Sequence, residues 1–251
     1  MTRPCPHCGV GHGRLRYLEA GLRVVRCLGC GLVYLANPPE IVSLYEEYHL
    51  PLQQVEPQLL TINTRRIACV RRWRSSGRLL DVGCGIGLFL DSARSAGYDV
   101  FGIDVAARAI ELCRNRGLQV EVATLDDLLE RDLRFDIITL WHVLEHFLDP
   151  FDELVKIRRL LAPRGLCLIE VPNLNSIKFM LSRRKWTGGN SPLYHRTFFT
   201  RTTLAQAIRE SGFSGVRRLR LSYGATALIR AGKRIFNVAA LDSFLTFIAF
   251  A

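Results

Sequence analysis

The spacing of apolar and polar positions changes along this chain, and the changes mark its elements. Regular α/β patterning starts near Thr61. RLLDV, residues 78–82, is an apolar run of strand length, and Leu88 to Ala96 repeats at helical spacing. YDVFGID is a second strand-like run and ends on Asp104. Near the start, RYLEAGLRVVRC holds two short strand-like runs on either side of a turn at Gly21. At the far end VRRLRLSY predicts a strand, Ala225 to Ala240 an amphipathic helix with its basic residues early, and Leu245 to Ala251 a last strand.

Composition divides this pattern into three parts. Residues 1–36 are rich in Cys and Gly and predict a small module. Residues 37–60, with Pro38, Pro39, Pro51 and Pro57, predict a linker, and residues 61–251 form the main domain. A chain of 251 residues, 49% hydrophobic and 23% charged, has room for one α/β domain with a real core and a small appendage, so disorder is not the default. The formal charge of +11 admits nucleic acid, anionic lipid or a phosphorylated partner, but its arginines are scattered, as on a solvated basic face. MTRPCPHCG lacks the apolar core of a secretory signal, and no run of eighteen apolar residues predicts a spanning helix, so the cytoplasm is expected. In a reducing compartment the eight cysteines read as metal ligands and buried thiols rather than disulfides.

Cys5, Cys8, Cys27 and Cys30 form two C-x2-C knuckles, each followed by a glycine that permits a tight turn aiming backbone amides at a thiolate. Four thiolates at this spacing close a tetrahedral structural zinc site, and the two strand-like runs between them suit a zinc ribbon. With the shell full, His7 and His12 are expected to be exposed bystanders. Cys69, Cys84, Cys113 and Cys167 sit singly among apolar residues and read as buried thiols; no base stands beside Cys84 to make it a nucleophile.

Gly83, Gly85 and Gly87 follow the first strand of the main domain, where absent side chains let a ligand approach the backbone. Asp104, at the end of the next strand, is placed to accept two ribose hydroxyls. The spacing is G-x-G-x-G, and Leu88 stands where a pyrophosphate fingerprint has its third glycine. Asp81 ahead of the loop would repel a pyrophosphate and attract a cationic amino-acid moiety.

LLDVGCGIGLFL, followed by GIDVA, ATLDDL, FDIITLWHVLEHFLDP, LLAPRGLCLIEVPN and HRTFFTRTTLAQAIRESGF, resembles class I S-adenosylmethionine-dependent methyltransferases, and the knuckles with GLVYLANPP and LYEEYH resemble the zinc-ribbon variants of that family. The resemblance implies a Rossmann-like, seven-stranded, mainly parallel sheet flanked by helices, one strand antiparallel, with a small N-terminal zinc ribbon. It implies S-adenosylmethionine as cofactor. Gly83, Cys84, Gly85 and Gly87 would frame its methionine end, Asp81 would address its ammonium and Asp104 its ribose. Leu125 and either Asp126 or Asp127 would edge the adenine, and Trp141 would lie under the methionine portion.

Methyl transfer from a sulfonium needs positioning, and a hydroxyl acceptor also needs a base. WHVLEHF supplies His142, Glu145 and His146 at helical spacing. In related enzymes acting on quinone precursors two carboxylates and a histidine at this spacing hold a divalent ion; His142 replaces the first carboxylate here. His146 as general base and loop ordering by Glu145 or His146 are the other readings. His195, ahead of Phe198, Phe199 and an N-cap at Thr200, is the second candidate base, on a segment expected to cover the acceptor together with Trp186 and Tyr194. SRRKW, residues 182–186, reads as a phosphate contact or as a solvated loop. The expected acceptor is a small molecule methylated on oxygen, a sugar, quinone precursor or lipid-linked intermediate. RNA methylation, and a non-catalytic module recruited through its ribbon, are the alternatives. Peripheral membrane contact through the C-terminal segment is secondary to core or dimer packing.

Overall fold

A computed structural model of the chain describes residues 3–39, 52–176, 194–221 and 243–251. Strands β1 (Gly13–Glu19), β2 (Leu22–Cys27) and β3 (Val33–Leu35) come first, followed by helix α1 (Leu52–Arg71). Then strand and helix alternate: β4 (Arg78–Val82), α2 (Leu88–Ser95), β5 (Asp99–Asp104), α3 (Ala107–Arg114), β6 (Val120–Val122), α4 (Leu125–Glu130) and β7 (Phe135–Trp141). A 3-10 turn (Leu144–His146), α5 (Pro150–Leu160), β8 (Leu161–Pro172), β9 (Thr197–Phe198), α6 (Arg201–Glu210), β10 (Gly215–Leu219) and β11 (Phe244–Phe250) follow. SRRKW with Trp186, and the helix expected over Ala225 to Ala240, lie outside the described residues. Helix α1 begins inside the stretch expected to be linker.

The main sheet has the order β10-β11-β8-β7-β4-β5-β6, with β4 parallel to β5 and β7, and β5 parallel to β6. This is the expected α/β sheet. Successive strands step outward from β4 through β5 to β6, and the chain then returns to place β7 on the other side of β4. The carboxyl ends of β4 and β7 therefore flank a topological switch point, where α/β sheets bind ligands.

The chain divides into two compact units. One holds residues 41–141, 156–168 and 248–251. Its core is built from Leu79, Leu80, Leu90, Ile103, Ile110, Leu128, Ile137 and Ile138, all buried. Each such side chain contributes about 1.5–3 kcal/mol against exposure to water. Gly87 caps α2 at φ 76°, and a Cβ there would stand 2.6 Å from Leu118 Cδ1 and 2.8 Å from Cys113 Sγ, so only glycine fits.

The other unit holds residues 1–40, 142–155 and 169–247. Its second sheet runs β1-β2-β3-β9. Ala20 and Gly21, both at positive φ, close β1 onto β2 in the two-residue turn that matches the twist of a hairpin. β3 pairs antiparallel with β9, Val33 opposite Phe198 and Tyr34 opposite Thr197. Val24, Val33 and Leu35 from the cysteine-rich segment share one small core with Leu174 and Phe198.

Candidate active site

The chain leaves β4 through Gly83 (φ 65°), Cys84 and Gly85 (φ 52°). Asp104, the last residue of β5, fixes this loop: Gly85 N–H donates to Oδ2 at 2.8 Å, and Ala106 N–H donates to Oδ1 at 2.9 Å. The side of Gly85 where a Cβ would project opens onto empty space, a cradle that a ligand can fill. Gly87 instead packs against the end of α3.

Asp81 is buried and accepts from Thr139 Oγ1 at 2.6 Å. Burial pushes its pKa up to about 7, with Thr139 and Arg66 opposing the rise. Arg66, on α1, lies 4.5 Å from the ring of Trp141 and donates to Asn63 Oδ1 at 3.4 Å. Trp141 packs edge-on against Phe89, and its buried indole N–H has no hydrogen-bond acceptor among the described residues. At the start of α4, Thr124 and Asp127 close a reciprocal capping box, with Asp127 Oδ2 accepting from Thr124 N at 2.7 Å. Asp127 is thus committed to the helix end, while Asp126, mostly exposed, meets Lys156 Nζ at 2.7 Å. Asp81, Gly83, Cys84, Gly85, Asp104, Leu125, Asp126 and Trp141 therefore stand in, or just beyond, the carboxyl halves of four neighbouring parallel strands.

Directly after Trp141 the backbone turns. His142 adopts φ 62°, a left-handed conformation that is costly for a side chain of this size, and residues are held in it only where the surroundings dictate it. Its N–H donates to Glu170 O at 2.8 Å, and its ring lies between two carboxylates, Nδ1 3.5 Å from Glu145 and Nε2 3.4 Å from Glu170. Burial disfavours a charged ring, but Glu145 and Glu170 overcome it and raise its pKa to about 9. His142 is an imidazolium at neutral pH and holds no free lone pair.

Glu145, 1% exposed, sits in the 3-10 turn next to His146. Against its burial, the contact with His142 holds it below the usual carboxylate range. The Nδ1 of His146 lies 3.0 Å from Tyr194 O, a carbonyl that can only accept, so Nδ1–H donates to it. His195 meets His146 edge to face with ring centres 4.7 Å apart, and burial drives its pKa down to about 3. One ligand atom each from Glu145, His146 and His195 lies within 4.8 Å of the others. The expected shared face of His142, Glu145 and His146 is therefore replaced: the turn directs His142 to Glu170, and His195 takes its place. Backbone bonds hold His195 there, since Arg196 N–H donates to Glu145 O at 2.8 Å while Arg196 O accepts from Leu35 N–H of β3 at 2.9 Å.

The four knuckle cysteines converge. Cys5 and Cys30 sulfurs are 3.6 Å apart, Cys8 and Cys27 3.4 Å, and all four lie within 4.8 Å of one another. Tetrahedral Zn–S bonds of about 2.3 Å would place sulfurs about 3.8 Å apart, so the donor set fits. Each knuckle closes with the same bond, Gly9 N to Cys5 O and Gly31 N to Cys27 O. His7 is not a bystander. It stacks on Phe151 at 4.1 Å and pairs with Glu210.

Residues 58–217 match the family model described as Methyltransferase domain. The chain belongs to this methyltransferase family. A ubiquinone biosynthesis O-methyltransferase from Cereibacter sphaeroides is 32% identical to it over 187 residues, covering 67% of this chain and 75% of the relative. A second enzyme of that name, from Roseobacter denitrificans, is 30% identical over 153 residues, 56% of this chain and 61% of its own. Among solved structures, a SAM-dependent methyltransferase from Thermotoga maritima superposes with a TM-score of 0.60 at 17% identity, over 84% of this chain and 99% of that one. A Burkholderia thailandensis 1,6-didemethyltoxoflavin-N1-methyltransferase does so with 0.59 at 18%, over 94% and 98%. These two likenesses establish the fold alone.

Arg66, Asn63 and Glu170 of this methyltransferase escaped the sequence reading. Arg66 stands among several arginines in TRRIACVRR, and only its burial singles it out. Glu170 reads as one polar residue in an apolar strand, and that lone buried charge was the available signal.

Proposed function

We propose that this methyltransferase transfers a methyl group from S-adenosylmethionine to a hydroxyl of a small molecule, with His146 as general base. The observation that carries the reading is the orientation of His146, its Nδ1–H fixed by the Tyr194 carbonyl and its ring beside the buried carboxylate of Glu145. When bound, S-adenosylmethionine supplies an electrophilic methyl on a sulfonium. Asp104 accepts from its ribose hydroxyls, Asp81 and Arg66 meet its ammonium and carboxylate, and Leu125 and Asp126 border its adenine. Nε2 of His146 takes the acceptor's proton, and the charge of Glu145 stabilises the imidazolium that results. The O-methyltransferase relatives support an oxygen acceptor such as a phenolic quinone precursor, sugar or lipid-linked alcohol. Incubation with labelled S-adenosylmethionine and a panel of such hydroxyl compounds should yield a methyl ether. Label appearing only in added RNA would overturn the proposal.

The close approach of Glu145, His146 and His195 favours one further reading, a divalent ion that ionises the acceptor. Metal content separates the two. A general base predicts a single equivalent, lost in Cys27→Ser; an ion in the site predicts a second, lost in His195→Ala. The first equivalent is the structural zinc we assign to Cys5, Cys8, Cys27 and Cys30.

A further inference from the structure

Strand β1 ends the four-stranded sheet. Its order runs β1-β2-β3-β9, so among the described residues no strand lies beside the outer edge of β1. That edge carries GRLRYLE and exposes two leucines, Leu15 at 48% and Leu18 at 62%. An exposed apolar edge invites a further strand, and proteins commonly blunt it with charge or with a bulge. β1 has both, yet here the bulge brings the edge into register with itself. Across to β2, Arg14 faces Arg26, Leu15 faces Val25, Tyr17 faces Val24, Leu18 faces Arg23 and Glu19 faces Leu22, so the pairing slips by one residue at Arg16. Side chains of β2 alternate between the faces of the sheet. Leu15 and Leu18 therefore share the face of Val25 and Arg23, while Arg14 and Glu19 share that of Arg26 and Leu22. In a regular strand, residues three or five apart stand on opposite faces.

Two identical strands paired antiparallel at their edges are related by a two-fold axis normal to the sheet, so that residue i meets j of the other copy and j meets i. Both must then lie on one face. The slip at Arg16 meets this condition for the register that sets Leu15 against Leu18, and Arg14 against Glu19, of the other copy, each contact being made twice. We propose that this edge is a dimer interface, in which two copies of the chain pair β1 with β1 and join their sheets into one of eight strands. Charge supports a second copy as the occupant. Within one chain Arg14 stands opposite Arg26, an unfavourable like-charge pair, and among the described residues neither Arg14 nor Glu19 has an ion-pair partner. In the dimer each Arg14 gains a carboxylate and each Leu15 an apolar neighbour. Strand β9 keeps the far end of each sheet, so the pairing does not involve the histidine cluster. Two short edges bury less than the roughly 1,200 Å² of a stable interface, so the dimer is reversible and forms at micromolar protein.

Sedimentation velocity on the full chain, from low to high micromolar protein, should show the sedimentation coefficient climb from that of a monomer toward that of a dimer. Arg14→Glu sets carboxylate against carboxylate and Glu19→Arg sets cation against cation, so each variant should raise the dimer dissociation constant at least tenfold. An equimolar mixture of the two variants should pair again, because each supplies the charge the other lacks. The doubly substituted Arg14→Glu/Glu19→Arg chain should pair by itself. Leu18→Lys should abolish pairing. Circular dichroism matching that of the wild type would show that these exposed substitutions leave the fold in place. A wild type that stays monomeric, its edge left to a strand of some other protein or to solvent, would overturn the proposal. So would a dimer that neither charge reversal weakens, or a mixture of the two variants that remains monomeric.

Discussion

In the proposed cofactor site, Asp81 would couple binding to protons. Arg66 faces it from α1, Asp104 from β5, Cys84 from the loop and Thr139 from β7. Folding raises its pKa from 3.8 to about 7, so the folded chain keeps a proton that the unfolded chain releases, and this group's contribution to stability declines as pH climbs from about 4 to about 7. An ammonium received by Asp81, as proposed, would favour the ionised carboxylate, so affinity for S-adenosylhomocysteine should rise between pH 6 and 8 and proton release should accompany binding. Calorimetry in two buffers of different ionisation enthalpy measures both, and Asp81→Asn should flatten the profile. Asp104→Ala should weaken the same ligand by about 1.5–3 kcal/mol, the scale of a charge-assisted hydrogen bond, and also loosen Gly85. His146→Ala should lower turnover by on the order of 10²-fold with cofactor affinity retained, since a base acts on the acceptor. The acidic pair and the loop glycines were legible because local spacing places them. The partnership of His142 with Glu170 was not, because it depends on a left-handed backbone turn and on a strand 28 residues away.

Elements that depend on near neighbours were legible from pattern alone: the β1–β2 hairpin, β4, α2, β11 and the capped start of α6 at Thr200. Helix α1 was obscured by Pro57 within it and by Pro51 just ahead of it, which read as linker, and β9 by its two-residue length. Strand β9 exists because β3 lends it backbone partners. The β3–β9 pairing ties the cysteine-rich segment to the histidine cluster through Arg196, whose carbonyl serves β3 and whose amide serves Glu145. Cys27→Ser should therefore lose the metal, since three thiolates make a poorer site, and should lower turnover as well while leaving S-adenosylhomocysteine binding in place. Metal analysis and calorimetry on one preparation decide it; full turnover without metal would detach the ribbon from the chemistry.

For the molecule as a whole, a charge of +11 is the feature most open to misreading. Many arginines are held in local ion pairs, Arg74 with Asp136, Arg94 and Arg116 with Asp91, Arg131 with Glu121. RNA should bind weakly and be released between low and physiological salt, because only diffuse phosphate contacts hold it; filter binding at two salt concentrations measures this. Among the described residues no helix is long and apolar enough to cross a membrane. The β3–β9 pairing also bears on synthesis. β3 emerges from the ribosome about 160 residues before its partner, so at about 5–20 residues per second its free edge waits roughly 8–30 s for Thr197 and Phe198. During that interval a ribbon already closed around its four cysteines would hold β3 in register, while an open one would offer an unpaired edge to neighbouring nascent chains. If the four cysteines take up zinc as proposed, metal supply during translation would then bear on the yield of folded chain.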